Sequence, residues 1–94
     1  MMQWVEVIQL RITKPDPEQI IPILQQLAED ASEEDSCQEV HMYRRAHVNT
    51  DLSILLWHDI LPGAKSESSL GLRISAALKE FGMVNHNTWF EIDF

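Results

Sequence analysis

The chain has little cysteine, little glycine and little positive charge, and each shortage excludes something. Its single cysteine, Cys37, cannot form an intramolecular disulfide, and one thiol is not a metal site. Cys37 therefore reads as a reduced cytosolic thiol. Seven Lys and Arg stand against fifteen Asp and Glu, giving a net charge of −8. That balance opposes a nucleic-acid backbone or an anionic membrane as partner, since both ask for a basic surface. No apolar run is long enough to cross a bilayer. The opening Met1-Met2-Gln3-Trp4-Val5-Glu6 lacks the basic region and apolar core of a signal peptide, so the expected compartment is the cytoplasm. There is no internal repeat, no low-complexity tract and no Gly/Ser linker. The sequence also contains no G-x-S-x-G, P-loop, C-x-x-C or H-E-x-x-H, which sets aside the easily recognised hydrolases, nucleotide binders and metalloproteases. The four histidines, His41, His47, His58 and His86, include no pair at i, i+2 or i, i+4, so no metal pair can be read from their spacing. Neither a metal nor a cofactor is expected.

What remains is a 94-residue chain of 45% hydrophobic residues, enough for one folded domain over 1–94. Its organising stretch is Asp51 to Ile60, the longest near-continuous apolar run, with the length of one strand buried on both faces. Leu52, Ile54, Leu56 and Ile60, interrupted by His58, form the set a strand shows to helices. Ser53, Leu55, Trp57 and Asp59 form a mixed set, suited to an interface or a small cavity.

Gln3 to Thr13 predicts a first strand, with Trp4, Ile8, Leu10 and Ile12 on one face and Val5, Val7, Gln9 and Arg11 on the other. Lys14-Pro15 ends it, because proline offers no amide to the ladder. Asp16-Pro17-Glu18-Gln19 is a helix start, with a capping aspartate, proline at the first position and Gln19 placed to close a capping box. Ile20, Leu24, Leu27, Ala28 and Ala31 continue at helical spacing, with a bend expected at Pro22. The acidic run Glu29 to Asp35 has the wrong sign for a helix C-terminus, so the helix is expected to fray there. The run lacks the ligand spacing and turn glycine of a calcium loop. Gln38 to Ala46 predicts a second strand and a hairpin into the central one. Leu61-Pro62-Gly63-Ala64 breaks the central strand. A second helix starts within Ser66 to Ser69 and carries Leu70, Ile74, Ala77, Leu78 and Phe81 on one face, with Gly82 as its left-handed stop. Asn85 to Asp93 predicts the last strand.

The order β-α-β-β-α-β is the ferredoxin-like α+β arrangement, a four-stranded antiparallel sheet with both helices on one face. The other face would show Trp, Leu and Val to water, a patch too large for a monomer. Pairing two such sheets removes it, so a homodimer through the sheet face is expected.

In element order, length and the ending Trp57-His58-Asp59 of its central strand, the chain resembles the dimeric α/β-barrel superfamily, and most closely its antibiotic-biosynthesis-monooxygenase branch. The resemblance implies two ferredoxin-like subunits pairing their sheets into a barrel, each with a small cavity between sheet and helices. It implies an activity class ranging from cofactor-independent oxidation of polycyclic aromatics, through haem degradation, to none known. Trp57 stands for the family's cavity tryptophan, and Ser53 stands where some monooxygenases have asparagine. Gln9 could replace the first-strand asparagine of haem-degrading members. The histidine that catalytic and haem-binding members carry on the following helix is replaced within Ser66 to Leu72 by serines and glycine.

The ligand-cavity candidates are accordingly Trp57, His58, Ser53, Tyr43 and Arg44, and the interface candidates are Trp89 and His86. A flat aromatic ligand would stack on Trp57, with Tyr43 or His58 as proton partner. Arg44 and Arg45 face opposite sides of a strand, where ion pairing is the simpler role and an anionic ligand the other. Two functional readings follow. One is a non-catalytic module that binds a small hydrophobic molecule or another protein, which the missing helix histidine favours. The alternative is a cofactor-independent monooxygenase-like or isomerase-like enzyme acting on an aromatic metabolite beside Trp57. A cavity of roughly 300 Å³ or more, walled by Trp57 and one of His58, Tyr43 or Arg44, separates them.

Overall fold

The computed structural model describes residues 3–14, 16–34, 37–59 and 68–94. The expected turn at Leu61 to Ala64 lies outside these residues, as do Ile60 and Pro15. The elements are β1 (Trp4–Ile12), α1 (Pro17–Ser32), β2 (Glu39–Arg44), β3 (Asp51–His58), α2 (Ser69–Leu78) and β4 (Gly82–Phe90), in the ferredoxin-like order. All pairings are antiparallel and the sheet runs β2-β3-β1-β4, so the two most apolar strands are its centre.

Strict alternation decides which side chains meet the helices. On β1 the buried parity is Trp4, Glu6, Ile8, Leu10 and Ile12; on β3 it is Leu52, Ile54, Leu56 and His58. The helices close this side with Ile20, Leu24 and Ala31 of α1 and Leu70, Ile74 and Leu78 of α2, forming one core. Full burial of each such aliphatic side chain stabilises by about 1.5–3 kcal/mol.

The start of α1 is as expected: the Asp16 carboxylate accepts the Glu18 amide at 3.1 Å, and Pro17 stands in the first turn. The helix ends within the acidic run, as expected, but runs into it as far as Ser32, one residue past the fully buried Ala31. Packing outweighs a charge–dipole penalty of only about 0.3–1 kcal/mol at such an exposed end. Gly82 is not a left-handed helix stop. α2 ends at Leu78, and Gly82 opens β4 instead. Its requirement is space: a Cβ there would stand 1.9 Å from the Arg11 carbonyl oxygen on the neighbouring strand. Ala77, expected on the buried face of α2, is exposed; Gly71 and Ser75 are buried on α2 with Leu70, Ile74 and Leu78. The β2–β3 hairpin turns through His47, whose φ of 65° is left-handed.

Candidate functional site

The helix side of the sheet buries a carboxylate. Glu6 has no exposed surface, although the alternating residues around it on β1 are apolar. Three polar side chains converge on it. Because Glu6 is paired across to Leu56 and Thr88, its diagonal neighbours on the same face are His58 of β3 and His86 of β4. His58 Nε2 lies 2.8 Å from Glu6 Oε1, and His86 Nε2 lies 2.7 Å from Oε2. From above, Ser68 at the N-cap of α2 donates its hydroxyl to Oε1 and its backbone N–H to Oε2 at 3.2 Å, while its Oγ accepts the Gly71 amide at 2.9 Å.

The first turn of α2 can sit this low because residue 71 is glycine; a Cβ there would come within 2.0 Å of Glu6 Oε2. The positive end of the helix dipole therefore faces the carboxylate. Burial alone would push the Glu6 pKa up. The hydrogen bonds from His58, the Ser68 hydroxyl, His86 and the Ser68 backbone outweigh it, and the carboxyl is held below the ordinary glutamate range. An ionised carboxylate only accepts, so both imidazoles present N–H at Nε2. The rings differ in setting. His58 is buried and stacked on Trp4, with centroids 4.0 Å apart, whereas the His86 side chain keeps 11% of its surface accessible. Among the described residues, no group of three or more His, Cys, Asp or Glu is arranged to hold a metal.

The opposite face of the sheet is open and divided in two. At one end, a cross-strand row places Val5 between Trp57 and Trp89, with Glu39 on the far side of Trp57, and the next row sets Leu55 beside Val7. At the other end, Tyr43, Ser53, Gln9 and Asn85 form one row across all four strands, followed by Asp51, Arg11 and Met83. A cleft of about 730 Å³ opens there, walled by Gln9, Arg11, Tyr43, Arg45, Ser53 and Asn85 among others.

No protein-family model matches the sequence, and no protein of curated function is significantly similar to it. Solved structures do match. SnoaB, a cofactor-independent oxygenase from Streptomyces nogalater, superposes with a TM-score of 0.73 at 10% identity, over 98% of this chain and 95% of SnoaB. Rv0793 from Mycobacterium tuberculosis gives 0.71 at 17% identity, over 98% of this chain and 97% of its own. An antibiotic biosynthesis monooxygenase gives 0.62 at 10% identity, over 100% and 99%. The fold is that of the antibiotic-biosynthesis-monooxygenase-like proteins. At these identities the shared property is the fold.

On this monooxygenase-like fold the sequence-predicted residues separate into two groups. Trp57, Ser53, Tyr43 and Trp89 project from the open face. His58 and His86 lie on the helix side. Trp57 and His58 are consecutive on one strand, so alternation sends them to opposite faces and they cannot line one cavity. The position between sheet and helices at the end of β3 is filled by His58, not by the tryptophan. Tyr43, Ser53 and Arg44 do line one cleft, but Trp57 is not on its wall. Arg44 pairs with Glu18 of α1 at 3.2 Å. His86 was expected at an interface and stands against Glu6. Glu6 and Ser68 were not singled out in the sequence, yet they tie the helix-side cluster together.

Proposed function

We propose that this protein transfers a proton to or from a small aromatic molecule that meets the accessible edge of His86. In this reading the His86 imidazole is the acting base and Glu6 its positioning residue. The observation that supports it is the buried carboxylate held by two imidazoles, Ser68 and the α2 N-terminus. Such an assembly is costly to desolvate, and perturbed carboxylates of this kind concentrate at functional sites. The imidazole missing from α2 is supplied instead from β3 and β4. Glu6 fixes each ring by its Nε2–H and stabilises the imidazolium that forms when Nδ1 takes a proton, the division of labour of a carboxylate–histidine pair in general-base catalysis. Likeness in fold to a protein described as a cofactor-independent oxygenase supports a chemistry carried by side chains without a bound cofactor. The apolar stretch formed by Trp57, Val5 and Trp89 with Leu55 and Val7 supports a second copy packing on that end of the open face, away from the polar cleft.

A thermal-shift screen of aromatic metabolites, run on the wild type and on His86→Gln, tests this. A ligand at a hundred times its dissociation constant adds ~2.7 kcal/mol of stability. The reading expects a hit that both proteins bind and that only the wild type turns over or deuterates at its acidic position. Equal turnover by His86→Gln would refute the base assignment. Binding without any proton exchange in either protein would leave the non-catalytic binding module, which the full saturation of both Glu6 oxygens by internal donors favours as the second reading.

A further inference from the structure

We propose that the cleft at the polar end of the open face binds a small organic monoanion, a carboxylate attached to an apolar body. The cleft lies across the sheet from Glu6 and draws on none of the residues of that cluster. Its charge runs against that of the chain. Three of the seven Lys and Arg line it, namely Arg11, Arg44 and Arg45, in a protein of net charge −8. Asp51 is the one acidic residue on its wall.

The arrangement of those charges is specific. Arg11 grips Asp51 with both arms, Nε to Oδ1 at 3.0 Å and Nη2 to Oδ2 at 2.9 Å. Arg45 donates to the same Oδ2 at 3.2 Å, and the Thr50 hydroxyl occupies Oδ1. One carboxylate between two guanidinium groups leaves one positive charge uncompensated, and the Arg45 side chain carrying it is 63% exposed. Arg44 contributes no further surplus, because Glu18 pairs with it. A single surplus charge matches a monoanion better than a phosphate dianion, and a guanidinium fork matches the two oxygens of a carboxylate.

The remaining wall supplies both kinds of contact that a ligand site needs. Gln9, Asn85, Ser53 and the Tyr43 hydroxyl offer hydrogen bonds, while the Tyr43 ring and Met83 offer apolar surface. The volume of about 730 Å³ lies within the range of sites for small metabolites.

The test is an NMR titration of the isotopically labelled protein, in its native assembly, with benzoate, its neutral isostere benzamide, and inorganic phosphate. Benzoate is expected to bind saturably and to shift the side-chain amides of Gln9 and Asn85 and the Arg45 Nε–H. Benzamide and phosphate should each bind about tenfold more weakly or not at all. Arg45→Gln should weaken benzoate about tenfold, Arg45→Lys by less, and Arg73→Gln, remote and paired with Glu34, not at all. The proposal fails if benzoate gives no saturable shift, if benzamide or phosphate binds as well as benzoate, or if Arg45→Gln binds like the wild type. Should Arg45→Gln not fold, the wild-type comparison of the three probes and the Arg45→Lys variant still decide it.

Discussion

Glu6→Gln replaces an acceptor-only group by one that must also donate. The amide keeps one oxygen for two of the four donors that meet Glu6 and turns its NH2 toward the others. Charge-assisted bonds are worth about 1.5–3 kcal/mol each, and breaking a buried charged pair costs about 3–5 kcal/mol. A change of tautomer at one imidazole recovers part of the loss by letting its Nε2 accept from the amide. The net destabilisation should therefore be about 3 kcal/mol at neutral pH, and for a domain of this size about 4–8 °C per kcal/mol gives a fall of about 12–24 °C in Tm. The pH dependence has a definite sign. The folded-state pKa of Glu6 lies below its ordinary value of 4.5, so its stabilisation is complete above 4.5 and is lost as the pH falls through the folded value. Urea denaturation of both proteins below pH 4.5 should show a gap that narrows as the pH falls. A variant as stable as the wild type, or a gap that does not change with acidification, would refute an ionised, internally bonded Glu6.

Gly71→Ala should destabilise by about 1–3 kcal/mol in thermal melts, because the new Cβ meets a carboxylate that four hydrogen bonds prevent from moving; helix propensity alone predicts a gain of about 1 kcal/mol, so the sign is decisive. Ser75→Ala should stabilise by about 1 kcal/mol, since the buried Ser75 hydroxyl has no hydrogen-bond partner among the described residues. Trp89→Lys should leave the fold intact but shift size exclusion to the monomer, whereas an unchanged elution volume would remove the Trp57–Trp89 end of the open face as the interface. Asp51→Asn should flatten the acid limb of stability between 3.8 and about 2, the interval over which Asp51, held down chiefly by its hydrogen bond from Arg11, loses its charge in the folded protein.

The architecture was legible because it rests on periodicity. Two-faced apolar strands, a proline-led helix start and a serine-led second helix specified six elements whose order admits few topologies, and the structure has that order. What escaped were features decided by tertiary contact. The acidic end of α1 looks unfavourable locally, and how far the helix runs into it is set by Ala31 packing against the core. Gly82 looks like a helix stop and is a close backbone approach.

The helix-side cluster was hidden for a different reason. Glu6 occupies the same parity as Ile8 and Leu10, a charge where a core residue belongs, and His58 and His86 break the same parity on their own strands. Each irregularity alone reads as a local exception. Only the register, which sets Glu6 diagonally between His58 and His86, turns the three into one constellation, and a single strand's sequence does not specify register.

The most direct test of that constellation is long-range nitrogen NMR of the histidine side chains, at a pH where the rings are neutral. An ionised Glu6 gripping both rings requires His58 and His86 each to carry their proton at Nε2 rather than Nδ1, with the pattern lost at one ring at least in Glu6→Gln. A ring protonated at Nδ1 in the wild type, or tautomers indifferent to Glu6→Gln, would contradict it.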